Sequence, residues 1–306
     1  MELTRVLSLQ TPPISGEDVA AAQKRLIYLG FTIVGAADGL FGENTDKAVR
    51  SFQKKRGLQE DGKIGPNTWK SLFTNPHPDT FKEVISYIPQ VIVPHNFRDS
   101  ISWQLANDGI RIASQIPEIT GGEPDTVARV WGTWGSAIQN SALKYGVPVE
   151  LIIATICTET TGNPDAIRQE PGYVSDEATP HKVSPGIMQT LISTARIALK
   201  DDSIDRDWLL VAANSIEAGT AYIGRQKNSS RFDPPKVACA YNAGGIYYNK
   251  GANNRWKMRQ YPLGSGEHAD RYVKWFNDCF RFFQQQGLRP EGSYFGLVGE
   301  FELSAV

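Results

Sequence analysis

The strongest constraint in this sequence is a repeat near its start. "DGLFGENT" begins at Asp38 and "DGKIGPNT" begins at Asp61, and each runs on into a helical stretch. Both copies read D-G-x-apolar-G-x-x-T. Asp-Gly is turn chemistry. The second glycine of each copy is expected to need positive φ or a close backbone approach. Thr45 and Thr68 stand where an N-cap or first-turn residue belongs. Before the first copy, Val19, Leu26 and Leu29 share one face of "EDVAAAQKRLIYLGF", with Gly30 as its stop. Between the copies, Ala48, Val49 and Phe52 recur at helical spacing. Such a stretch has room for three short helices around one small core.

This doubled turn-helix unit closely resembles the peptidoglycan-binding domain, from about Gly16 to Phe73. The resemblance implies a wall-anchoring module without catalysis. The basic run "KAVRSFQKKR" is either a solvated helix face or a surface that meets acidic wall groups. Pro76, Pro78, Pro89 and Pro94 then mark a linker, with the breaker cluster "NPHPDT" at its front. The expected organisation is residues 1–75 as the binding domain, with a boundary near Asn75, then 76–99 as linker and 100–306 as a second, larger domain. Within the linker, "FKEVISYIPQVIV" is too apolar to hang free and is expected to pack on one of the two domains.

Beyond residue 100 the pattern is helical. "SAIQNSALKYG" ends at Gly146, and "VPVELIIATICTE" starts with Pro148 near its first turn. "DWLLVAANSIEAGTAYIGRQ" reads as one long amphipathic run, and "PPKVACAYNAGG" as a short helix ending in Gly-Gly. In "EHADRYVKWFNDCFRFFQQQG", Tyr272, Val273, Phe276, Cys279, Phe280 and Phe283 fall on one face. The polar segment 167–183 reads as a loop or a small hairpin. One residue stands out against this background. Leu151, Ile152, Ala154, Thr155 and Ile156 form an oily helix that reaches a single carboxylate, Glu159, just before "TTGNP". Burial disfavours the charged carboxylate, and the partial negative charge of a helix C-terminus disfavours it again. Both raise its pKa, as general-acid chemistry at a glycosidic oxygen requires.

Glu159 has ordered company. "ETTGNPDA" at 159, "SPGIMQT" at 184, "CAYNAGG" at 239 and "DRYVKWF" at 270 follow one another. This series resembles the soluble-lytic-transglycosylase branch of the lysozyme-like fold, which reads E-S-x-G-N-P-x-A, G-L-M-Q, A-Y-N-A-G and a late Tyr. The resemblance covers about residues 135–280. It implies Glu159 as catalytic acid, Gln189 and Met188 as cleft wall, Tyr241 and Asn242 as sugar-binding residues, and Tyr272 as a partner of the acid. Amide groups suit N-acetyl and hydroxyl partners, and tyrosine faces suit sugar rings. Two departures stand out. The family serine after the acid is Thr160, which keeps the hydroxyl. The link to the second motif is long, resembles that of goose-type lysozymes, and carries Glu170, Asp176 and Glu177. Asp176 and Glu177 are the candidates for a second carboxylate. The expected fold class is mainly α: a three-helix peptidoglycan-binding domain joined to a lysozyme-like, α-rich (α+β) catalytic domain.

Several classes fall away. A formal charge of -1 gives no global case for nucleic acid or an anionic membrane, and no apolar run approaches the ~20 residues of a membrane-spanning helix. Cys157, Cys239 and Cys279 have no CxxC spacing and read as free thiols from a reducing compartment. No two histidines have metal-ligand spacing, so neither metal nor cofactor is expected. "MELTRVLSLQTPP" is a poor signal peptide, so cytoplasmic synthesis in a host is expected, followed by action on the cell wall. An anchor plus a glycan-cleaving domain resembles a modular phage endolysin. That resemblance implies a monomer with peptidoglycan as its partner, whose release depends on a separate holin-like, membrane-permeabilising protein. Its expected reaction is lytic transglycosylation with a 1,6-anhydro product. The alternatives are a muramidase with a second carboxylate and, in another class, a non-catalytic wall-binding virion component.

Overall fold

The computed structural model describes residues 3–29, 31–73 and 80–298. Gly30 and the boundary near Asn75 lie outside the described residues. The chain divides into two compact units, one of residues 1–79 with 286–291, the other of 80–285 with 292–306. It is mainly α, with two small antiparallel sheets.

In the first unit, α1 (Glu17–Tyr28), α2 (Glu43–Lys55) and α3 (Pro66–Phe73) enclose one core. Leu7, Val19, Leu26, Phe41, Phe52, Ile64 and Leu72 all lose their water there. Each repeated turn is clamped from inside by a glutamine one helix upstream. Gln23 Nε2 lies within hydrogen-bond reach of Asp38 Oδ1 (3.0 Å), the Leu40 carbonyl (2.9 Å) and Thr45 Oγ1 (3.0 Å), and its Oε1 accepts from the Gly39 N–H (2.8 Å). Gln53 repeats the pattern on Asp61 (2.8 Å), the Lys63 carbonyl (2.9 Å), Thr68 (3.2 Å) and the Gly62 N–H (2.9 Å). The glycines in the left-handed region are Gly39 (φ 75°) and Gly62 (φ 72°), the first of each copy. The expectation for the second glycine is therefore corrected: Gly42 is extended, with φ -91°.

The second unit opens with α4 (Lys82–Val91), which buries Val84, Ile88 and Val91. It is held within this unit by Lys227 Nζ on Glu83 (2.7 Å) and by Tyr87 against Phe232. A hairpin follows, β1 (Trp103–Ala106) and β2 (Gly109–Ile112), with Trp103 opposite Ile112. Next come α5 (Asp125–Tyr145) and α6 (Val149–Thr160). Gly146 joins them at φ 63°, where a Cβ would lie 2.3 Å from the Thr80 carbonyl oxygen, so only glycine fits the bend. The segment after α6 is a hairpin: β3 (Ile167–Gln169) pairs with β4 (Val183–Pro185). Further helices are α7 (Ile192–Leu199), α8 (Arg206–Leu210), α9 (Ala212–Arg225), α10 (Lys227–Ser230), α11 (Pro234–Ala243) and α12 (Glu267–Gln286), and a short helical turn follows over 294–298. The single long run expected from "DWLLVAANSIEAGTAYIGRQ" is thus two helices. Val211 is extended (ψ 112°); its N–H donates to the Trp208 carbonyl (3.3 Å), and Asn214 Nδ2 donates to the same oxygen (3.0 Å).

Asp233, at the N-cap of α11, has no exposed side-chain surface. It accepts from Trp103 Nε1 (2.8 Å) and pairs with Lys236 Nζ and His95 Nε2, each at 2.9 Å. The other His95 nitrogen lies 2.8 Å from the Val93 carbonyl, so both ring nitrogens face acceptors, as an imidazolium requires. Burial works against that charge, but the Asp233 contact outweighs it, and the His95 pKa is raised.

Two outcomes are expected. Gln23→Ala leaves buried partners of the clamp unsatisfied and should cost the first unit about 2–3 kcal/mol, read from amide hydrogen exchange in the full chain. His95→Gln tests the second cluster. A raised His pKa contributes stability that is complete below about pH 6.5 and is lost as pH rises through the folded value. The deficit of His95→Gln in denaturant melts should therefore be largest near pH 5.5, about 1–3 kcal/mol, and should shrink above neutrality.

Candidate active site

All residues from Val149 to Thr158 are buried, so α6 is surrounded by protein on every side. Such a helix meets solvent only at its end, and Glu159 sits there. Its carboxylate keeps 16% of its side-chain surface, enough for a substrate oxygen to reach it. The helix stops at Thr161, which turns left-handed (φ 53°) and returns its N–H to the Cys157 carbonyl (3.1 Å). Burial pushes the Glu159 pKa up to about 7, against the weaker opposing pull of Arg271 and Arg168. His268 Nε2 lies 3.7 Å from Glu159 Oε1, too far for a hydrogen bond. Burial, with Arg271 and Arg168 nearby, pushes the His268 pKa down to about 3. Between those two values both groups are uncharged, so the pair is not a salt bridge. A charged histidine there would pull the acid down; a neutral one leaves it high.

The motifs are stitched together by side-chain bonds to backbone. Thr160 Oγ1 donates to the Ile187 carbonyl (2.8 Å), which ties the acid's helix end to the second motif. That motif lies in the notch between α8 and α9. A Cβ on Gly186 (φ 86°) would lie 2.1 Å from the Leu209 carbonyl oxygen, and the Met188 N–H donates to Ser215 Oγ (3.2 Å). Tyr241 brings in the third motif, its hydroxyl donating to the Met188 carbonyl (2.9 Å) and lying 2.8 Å from Thr190 Oγ1. Burial raises the Tyr241 pKa well above its ordinary value, and the Glu159 charge adds to the rise.

Several residues do other work than the family resemblance implies. Gln189 Nε2 donates to the carbonyls of Ala166 (3.0 Å) and Gly186 (2.9 Å), and Oε1 accepts from Ser184 (3.3 Å). Its amide holds the loop. Met188 is fully buried, and a Cβ on Gly219 would press within 2.6 Å of its sulfur, so it is packing. Asn242 Oδ1 accepts from the Tyr261 N–H (2.6 Å). Tyr272 requires correction. It is 1% exposed and donates to the Leu151 carbonyl (3.0 Å), two turns before the acid on α6. It is a core residue; His268, one turn earlier on α12, is the side chain beside Glu159. That spacing was the one sequence signal available, since a residue four before a buried helical tyrosine shares its face.

The second-carboxylate candidates are occupied or exposed. Arg206 grips both oxygens of Asp176 (2.7 and 2.8 Å), Tyr173 donates to it as well (2.7 Å), and its pKa is lowered, chiefly by Arg206. Glu177 is exposed. Among the described residues, no cluster of three His, Cys, Asp or Glu is placed to hold a metal, and no helix is long and apolar enough to cross a membrane. Cys157, Cys239 and Cys279 are free and buried, and burial pushes the Cys157 thiol up to about 12.

The electrostatics can be tested without substrate. In a carbon-13 titration, the Glu159 carboxyl should change state at about pH 7. Arg271→Gln removes a charge that favours the carboxylate, so the midpoint should move further up. A midpoint near the ordinary glutamate value of about 4.3 would contradict the buried setting.

Residues 15–72 match the putative peptidoglycan binding domain, and residues 136–264 match the transglycosylase SLT domain. Over 61 residues the chain is 48% identical to N-acetylmuramoyl-L-alanine amidase CwlM of Mycobacterium tuberculosis, a match covering 20% of this chain and 15% of that protein. Over 58 residues it is 50% identical to the spore cortex-lytic enzyme of Bacillus cereus, covering 19% and 22% respectively. The chain thus spans less than a quarter of the length of these curated relatives. A crystal structure of Burkholderia AP3 phage endolysin aligns with 92% of this chain and 100% of its own, at 16% identity and a TM-score of 0.29. The first match takes in both copies of the repeat, and the second takes in the first three motifs of the larger unit, so the chain carries a putative peptidoglycan binding domain at its front and a transglycosylase SLT domain behind it.

Proposed function

We propose that this protein is an endolysin-type enzyme that cuts the β-1,4 bond between N-acetylmuramic acid and N-acetylglucosamine by lytic transglycosylation. The observation that carries this reading is the setting of Glu159: a partly accessible acid, its pKa raised to about 7, at the end of a buried helix in an SLT domain. The acid gives its proton to the bridging oxygen as the bond from that oxygen to the muramic C1 breaks, and the electron pair leaves with the oxygen. The 6-hydroxyl of the same muramic ring attacks C1. Its proton passes to the Glu159 carboxylate, which restores the acid. No water is consumed, so one titrating carboxyl is enough. Glycoside hydrolysis generally uses two carboxyls, about 5–9.5 Å apart. The commitment of Asp176 to Arg206 supports the single-acid route.

The anchor supports the choice of substrate. A tethered binding domain raises the effective concentration of the catalytic unit at an insoluble polymer. Gln189, Tyr241 and Asn242 enter this reading as residues that shape the cleft wall, with His268 beside the acid. Lysis of a host cell, with release past its membrane by a separate holin-like protein, belongs to the same proposal, as does a monomeric state.

The reading predicts that purified protein releases 1,6-anhydromuramoyl products from sacculi, lighter by one water than hydrolysed ends in mass spectrometry. Glu159→Gln should keep the fold and lower the rate by at least about 10³-fold, since it removes the transferable proton. Asp176→Asn should retain cleavage. Reducing-end products that vanish in Asp176→Asn or Glu177→Gln would establish a muramidase instead.

A further inference from the structure

A line of tyrosines leads from the acid to the surface. Tyr241, whose hydroxyl meets the Met188 carbonyl one residue from the Ile187 carbonyl that holds Thr160, has its ring 5.3 Å from that of Tyr222 on α9, tilted by 60°. Tyr222 is half-buried, and the nearby Tyr247 hydroxyl helps to raise its pKa, after burial itself. Tyr247 is 46% exposed. The Arg259 guanidinium lies 4.9 Å from the centre of its ring, and the Arg259 N–H donates to the Tyr247 carbonyl (2.7 Å). Both residues belong to the loop that leaves the end of α11. That loop is tied back to the end of α11 by the Tyr261 N–H on Asn242 and is closed on itself by the Asn249 N–H on the Lys257 carbonyl (2.9 Å). Tyr261, also in the loop, is 48% exposed.

Neighbouring exposed aromatics on an ordered loop mark binding surfaces more often than scattered single ones do. Tyrosine faces suit the apolar C–H faces of pyranose rings. A guanidinium beside such a face suits a carboxylate, which it binds with two parallel N–H donors. Peptidoglycan offers both at once: each muramic ring carries a lactyl group that ends in a carboxylate or in a stem peptide with its own carboxylates. We propose that Tyr247 and Arg259 form a distal glycan subsite. It binds a saccharide ring away from the bond being cut, together with the carboxylate carried on that ring's lactyl arm. The proposal rests on peptidoglycan glycan being the substrate. A strut role for the pair is the plain alternative, and it leaves glycan binding untouched.

Soluble, uncrosslinked peptidoglycan strands are the probe, and the full chain is used throughout. Tyr247→Ala should raise KM for the strands about tenfold, the scale of one lost aromatic contact, with kcat changed less than about twofold. Tyr247→Phe keeps the ring and should restore KM. Arg259→Gln should raise KM and flatten its dependence on salt, since a screened charge has been removed. In the Glu159→Gln background, hydrogen exchange should show strand-dependent protection of residues 245–261 that Tyr247→Ala abolishes. Unchanged KM in Tyr247→Ala, or a loop whose exchange ignores the strands, overturns the subsite. Strand-dependent protection in a protein that releases no cleaved product would leave the subsite standing and sink the transglycosylase reading.

Discussion

The larger unit depends on removing water from one helix. With Val149 to Thr158 all enclosed, α6 can carry no solvated face, and its only polar outlet is its C-terminal end. The acid stands at that outlet because no other place on the helix reaches solvent. The enclosure also sets its chemistry. A carboxyl at the rim of an apolar helix loses most of its hydration, and the helix terminus adds partial negative charge. Packing and reactivity here have one cause.

Three buried carboxyls meet that enclosure differently. Glu150 is wholly buried in the first turn of α6, and its oxygens accept the N–H groups of Tyr294 and Phe295, each at 2.9 Å, at the start of a short helix over 294–298. Asp233 is equally buried and stays charged, because His95 and Lys236 supply the compensating positive charge. Among the described residues, Glu159 has neither backbone donors nor a touching cation, only a neutral His268 at 3.7 Å. The first carboxyl caps a helix and the second locks an N-cap. Burial raises the pKa of Glu150 as well as that of Glu159, but only the third carboxyl keeps a solvent-facing edge from which a proton can be handed on.

The sequence made α6, its acid and the doubled turns readable, because each rests on local chemistry: an apolar run, a Gly-Asn-Pro break, two Asp-Gly pairs. The hairpin at 103–112 escaped, although "SWQLANDGIRI" alternates its buried Trp103, Leu105, Ile110 and Ile112 around an Asp-Gly turn. Its strands are four residues each, too short for period to speak against a helical neighbourhood. The glutamine clamps were invisible for another reason. Gln23 and Gln53 sit inside helices, where nothing in the local pattern separates a buried clamp from a solvated amide. Tyr272 was misplaced because its motif names a residue, whereas two turns of helix decide which carbonyl its hydroxyl meets. Long-range partners, such as His268 for Glu159, are set by helix docking and leave only a faint trace in spacing.

The three sealed thiols carry a consequence for where such a protein can survive. Oxidants and disulfides react with thiolates, and burial holds Cys157, Cys239 and Cys279 in the protonated form, far from solvent. Glutathione disulfide, peroxide or a disulfide-forming oxidase therefore finds no exposed thiolate on the folded chain. Cys157 lies two residues before the acid, where a mixed disulfide would wedge α6 apart. A change from a reducing to an oxidising medium thus spares the thiol at the place where a covalent alteration would do most harm.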